Sequence, residues 1–142
     1  MFRNFDALKG LDHSNSAGDI IGLGAGGAAA LLQYKTATHG ILYKAEISCL
    51  SIPTASSNPC LDFDIVSDDV GTLAEDAAPS TNNVTVYEMG GNLATGKTVQ
   101  DLTAGQPSND QYLYLCVGAA PGGAATHTGG KLVIRLYGHQ SF

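Results

Sequence analysis

The chain has 142 residues, 44% of them hydrophobic and only 14% charged, with thirteen Asp and Glu against seven Lys and Arg for a formal charge of −6. That length fits one globular domain whose surface, rich in Ser, Thr, Asn, Gly and Ala, is easily buried against a neighbour. So few cations exclude nucleic acid as a partner, and the want of an apolar run long enough for a membrane span or signal core excludes a membrane partner and sets the expectation of synthesis in the cytoplasm.

Residues 1–19 are polar and turn-rich, with Phe2, Phe5, Leu8 and Leu11 spaced by three. This segment is expected to form an extended N-terminal arm that presses its apolar side chains onto another surface, with residues 20–142 as the domain proper. Residues 22–27 then read GLGAGG, the GxGxxG pattern of dinucleotide-binding turns. The pattern needs a buried parallel strand before it, and only the stub Ile20-Ile21 precedes it. The acid at the right distance, Glu46, falls inside an alternating strand rather than at the end of a buried one. A chain with 18 glycines produces such a match by composition, so the stretch reads as a glycine-rich bend before an Ala/Leu strand.

From Ile41 to Leu50 apolar and polar residues alternate, with Ile41, Tyr43, Ala45, Ile47 and Cys49 on one face and Lys44, Glu46 and Ser48 on the other. The same period of two places Leu61, Phe63 and Ile65 opposite Asp62 and Asp64, Val84 and Val86 opposite Thr85 and Tyr87, Leu113, Leu115 and Val117 opposite Tyr112, Tyr114 and Cys116, and Leu132, Ile134 and Leu136 opposite Val133, Arg135 and Tyr137. Gly, Pro, Asn and Asp clusters separate these runs. No stretch after residue 40 keeps a helical period for ten residues, so the expected fold is all-β, an antiparallel β-sandwich.

Other chemistry is weakly signalled. GNLATGKT at 91–98 matches a phosphate-binding loop, but Val99 to Thr103 runs into Gly105 and Pro107, which leaves at most two turns for the helix such a loop must open. Six acids lie between Asp62 and Asp76, with spacing unlike a calcium loop of the EF-hand type, and read as a solvated or partner-facing edge. His13, His39, His127 and His139 show no metal-ligand spacing. Cys49, Cys60 and Cys116 read as buried free thiols, with a Cys49–Cys60 bridge as the alternative. No catalytic residue, cofactor or metal is expected.

From Gly18 onward the layout resembles a family of small structural proteins of tailed bacteriophages that decorate or cement the capsid. The stretches that carry the resemblance are Gly18-Asp19-Ile20-Ile21-Gly22-Leu23, ILYKAEISC, LDFDIVSDD followed by Val70-Gly71-Thr72, and QYLYLCVGAAPGGAATHTGGKLVIRLYG. Such proteins similarly close with an apolar strand, a Gly/Ala/Thr loop and a final strand of the type seen at Gly129 to Gly138. The resemblance implies a jelly-roll-like sandwich without enzymatic activity, made in the host cytoplasm and carried on the capsid surface. It also implies self-association, often as trimers, and docking on the major capsid protein. The arm is longer than the family pattern requires.

The last two strands are apolar on both faces, so the face bearing Tyr112, Tyr114, Val133 and Tyr137 needs a second cover, supplied either by another layer of the same domain or by a neighbouring subunit. The expected interface residues are accordingly Phe2, Phe5, Leu8, Leu11, Tyr112, Tyr114 and Tyr137. The alternative to a capsid-decorating role is a carbohydrate- or receptor-binding β-sandwich. That role asks for exposed aromatics beside carboxylates, whereas the tyrosines here are on strands and Trp is absent.

Overall fold

Strand follows strand along this chain because its apolar residues recur at every second position, which suits a pleated element with one buried face. The computed structural model describes residues 2–5, 8–23, 29–101, 105–119 and 122–140, with only the backbone of residues 2–5, 100 and 101. In chain order the elements are β1 (Phe2–Phe5), β2 (Leu11–His13), β3 (Gly22–Leu23), β4 (Leu32–Gln33), the single helical turn α1 (Thr36–His39), β5 (Ile41–Ala55), β6 (Phe63–Asp68), β7 (Val84–Tyr87), β8 (Thr98–Asp101), β9 (Tyr112–Val117) and β10 (Ala125–His139).

Among the described residues these strands form two antiparallel sheets, which makes the protein an all-β sandwich. One sheet runs β3-β2-β10-β5-β8, with β1 also on β10, and the other runs β4-β9-β6-β7. The inward faces meet in one core. Ala45, Ile47 and Cys49 of β5 and Leu132, Ile134 and Leu136 of β10 face Phe63 and Ile65 of β6 and Leu113, Leu115 and Val117 of β9. Each such side chain removed from water contributes roughly 1.5 to 3 kcal/mol before ordering entropy is subtracted.

The second face of β9 is covered by the chain itself. Ile20, which bridges to Cys116, forms a smaller cluster with Val66, Tyr114 and Cys116, and Leu73, Ala77, Ala29, Ala30 and Tyr112 pack on it. Residues 18–21 hydrogen-bond along the edge of β9, and the 70–77 segment, with Ala29 and Ala30, packs as an outer layer over the four-stranded sheet. Tyr114 donates its phenolic hydrogen to the Val70 carbonyl at 2.6 Å, which fixes that layer in place.

Three sequence expectations change. In β5 the pairing steps from Lys44↔Tyr137 to Leu42↔Gly138, so Tyr43 is the extra residue of a β-bulge. A bulge inverts the alternation beyond it, so Leu42 is buried while Ile41 and Tyr43, expected to share a face with Ala45 and Ile47, are 40% and 48% exposed. In β7 both Val86 and Tyr87 are buried rather than on opposite sides, beside another register shift at Ile65/Val66. Thirdly, the segment expected as an arm is laid along the domain's own sheet: β1 pairs with residues Leu132 to Arg135, β2 pairs with Ala125 and Thr126, and Leu8 is completely buried in the main core. The open edge of β10 supplies backbone partners that a free arm would lack.

Candidate functional site

Three of the exposed large apolar side chains among the described residues lie on β5. Ile41, Tyr43 and Leu50 are 40%, 48% and 56% exposed. The Tyr43 and Tyr137 rings lie 6.3 Å apart at 47°, His139 sits 6.1 Å from Tyr43, and the Lys44 ammonium stands 4.8 Å over the Tyr137 ring. Beside them Glu46 accepts from Arg135 at 2.9 Å and pairs with Lys44 at 3.2 Å. Burial alone would raise the Glu46 pKa, but Lys44 and Arg135 outweigh it and hold the carboxyl below its ordinary range. Register creates the cluster, since Arg135 is directly opposite Glu46 and Tyr137 opposite Lys44.

Of the expected interface residues, Tyr137 belongs to this cluster. Tyr114 does not, because the 70–77 layer buries it, and Tyr112 is half-buried against the same layer. Leu8 and Leu11 are spent on the domain's own core, while the side chains of Phe2 and Phe5 lie outside the described residues.

The acids between 62 and 76 serve mainly as internal clasps. Asp68, fully buried, accepts from the backbone N–H groups of Val70, Ser80 and Thr81 at 2.7 to 2.8 Å. Asp64 accepts from Met89 N–H at 3.1 Å, and Asp62 from Gly91 N–H at 3.3 Å. Burial, then the charges of Asp62 and Glu88, push Asp64 up to about 6 despite the Met89 bond. Among the described residues no three His, Cys, Asp or Glu side chains converge as metal ligands do.

The glycine motifs take other shapes. Residues 24–28 of GLGAGG lie outside the described residues, and Gly22-Leu23 is a two-residue strand on β2. In GNLATGKT, Lys97 donates to the Asn92 carbonyl at 2.9 Å and Thr98 opens strand β8, so backbone N–H groups are not gathered at a helix start. The three cysteines are buried free thiols, with Cys60 donating to the Asp62 carbonyl at 3.0 Å. Burial raises all three, Cys60 to about 11, so none is poised as a nucleophile.

One constellation had no signal in the sequence. His13 and His127 are both buried, with ring centroids 4.5 Å apart. His13 Nε2 donates to the Asn58 carbonyl at 3.3 Å and His127 Nδ1 to the Leu11 carbonyl at 3.1 Å, while His13 Nδ1 and His127 Nε2 have no hydrogen-bond partner within 3.5 Å among the described residues. Desolvation, then His13, lowers the His127 pKa. Two residues so far apart in sequence are joined only by the pairing of β2 with β10.

No protein-family model, curated protein or solved structure matches the chain.

Proposed function

We propose that this chain is a non-enzymatic structural protein of a phage virion, which decorates or cements the capsid by associating with copies of itself, as trimers in the form the resemblance implies, and by docking on the major capsid protein. The observation that carries the reading is the outward β5–β10 face, where Ile41 and Tyr43 stand exposed near Tyr137 and Leu50 stands exposed farther along β5. Large apolar side chains grouped on a regular, well-hydrogen-bonded sheet are characteristic of surfaces that become buried in an assembly. The sandwich architecture and the charge-poor surface support the same reading, and a jelly-roll course for the strands is part of the proposal. Cosedimentation of the purified chain with assembled shells lacking it tests the idea. Saturable binding that Tyr43→Ala with Leu50→Ser weakens at least about tenfold is expected, and the absence of saturable binding overturns it.

A second reading has its own observation: Tyr43 and Tyr137 are exposed or half-exposed beside Glu46, Arg135 and Lys44, an aromatic and charged grouping on which sugar rings can stack. Binding of the chain to a glycan array, abolished by Tyr43→Ala, would favour a carbohydrate- or receptor-binding module over the capsid role.

A further inference from the structure

Positive charge is concentrated on one sheet, which also carries Asp12, Glu46 and Asp101. Lys/Arg positions in the sequence are 3, 9, 35, 44, 97, 131 and 135; all but Lys35 belong to the β3-β2-β10-β5-β8 sheet or the turns entering it. Residues 56–96, which build β6, β7 and the layer over them, contain neither Lys nor Arg but carry Asp62, Asp64, Asp68, Asp69, Glu75, Asp76 and Glu88. Of these Asp69, Asp76 and Glu88 are exposed, as is Val70 at 39%.

Because the inward faces of the two sheets share one core, their outward faces look in opposite directions. One presents Lys44, Lys131, Arg135 and His139 around Ile41, Tyr43 and Leu50, with Glu46 as the acid neutralised among them. The other carries exposed Asp69 beside Val70, Asp76 next to Ile20 beyond β9, and Glu88 just past Tyr87, which pairs with Ile65 towards the opposite end of β6. We infer that the outward β5–β10 face is the docking surface for a second copy of this chain, and that it receives the side of that copy built by the cation-free, acid-bearing residues 56–96. Opposite potentials fit one another and repel their own kind, since acid on acid or base on base is unfavourable. The contact is heterologous, because each copy uses two different surfaces. It deepens the proposed function by naming the surfaces through which self-association runs.

The test is sedimentation velocity of the full chain over a concentration series. Wild type should self-associate, with the dissociation constant rising at least about tenfold between roughly 50 mM and 500 mM NaCl, because opposed surface charges are screened over about a Debye length. A basic-face variant, Lys131→Glu with His139→Glu, and an acidic-face variant, Asp76→Lys with Glu88→Lys, should each remain monomeric alone. The second pair removes negative charge beside Glu75 and Asp64, which those carboxylates repel, so the fold is expected to hold; far-UV circular dichroism checks both variants. Mixed in equal amounts, the two variants should associate again, because each then offers what the other lacks. A wild type that is monomeric throughout, folded variants that associate as wild type does, or a mixture that stays monomeric overturns the inference. Cosedimentation with shells separates this outcome from the proposed function: a monomeric wild type that still binds shells sinks only the self-contact, and an associating wild type that ignores shells sinks only the capsid role.

Discussion

His13 on β2 and His127 on β10 press their rings together at 4.5 Å inside the protein, with one nitrogen of each lacking a hydrogen-bond partner among the described residues. Around them stand Asp12 on β2, Phe63 on β6 and Cys60 just before it. A neutral His127 tolerates this enclosure, whereas its imidazolium would be desolvated and disfavoured by the neighbouring His13 ring.

Acid should therefore loosen the protein. The folded His127 pKa lies below its ordinary value, so on acidification the unfolded chain takes up a proton first, below about pH 6.5, and stability falls from there until the folded pKa is passed. Urea midpoints at pH 7.5 and 5.5 should differ less in His127→Gln than in wild type, and an unchanged difference would count against the account.

Asp64 works in the opposite sense. Its folded pKa, raised to about 6 by burial and by Asp62 and Glu88, exceeds that of an unfolded aspartate, so stability declines as pH rises from about 4 to 6 and stays lower at neutrality. Asp64→Asn keeps an oxygen for the Met89 N–H and removes the charge. It should raise stability by about 1 kcal/mol at pH 7.5, a figure discounted for partial exposure, with no gain at pH 4. Thermal melts at the two pH values read this directly.

Asp68 anchors the outer layer over the four-stranded sheet. Asp68→Ala leaves the N–H groups of Val70, Ser80 and Thr81 without their acceptor, and charge-assisted bonds of this kind make a loss of about 3 kcal/mol the expectation. Hydrogen exchange should accelerate in 70–81 more than in β5. Equal acceleration in both would show that the clasp is not local.

Removing residues 1–19 should destabilise the domain rather than free it from an appendage. The truncated chain lacks Leu8, which fills the core, and the strands that cover one edge of β10. Leu8→Ala alone should cost about 2 to 5 kcal/mol, measurable by urea unfolding. A truncation with an unaltered melting temperature would restore the segment to the status of an arm.

The alternation in β9 and β10 was legible because two packed layers impose a period of two on each strand; Leu113, Leu115 and Val117 indeed face one cluster and Tyr114 and Cys116 the other. Which layer covers Tyr114 was not legible, since the residues that do so, Leu73 and Ala77, lie in a loop with no periodic signal of its own. The bulge at Tyr43 was equally hidden. Nothing in ILYKAEISC marks the extra residue, yet it decides that Tyr43 faces solvent, and the candidate surface depends on that reversal. The four apolar residues of the first segment were visible, but their partner, the edge of β10, is a property of the sheet and not of any neighbouring sequence.

β10 pairs with β1, β2 and β5 at once, and it is the last described strand to leave the ribosome. Until it emerges, β5 lacks its principal neighbour, β1 and β2 have no edge to lie on, and His13 has no ring to meet. The six-stranded sheet is thus assembled from contacts of long sequence separation, which fold slowly and leave strand edges open to other chains in the interval. Nascent copies crowded on one message would be most at risk of pairing wrongly in that interval, and slowing synthesis just before residue 125 would lengthen it.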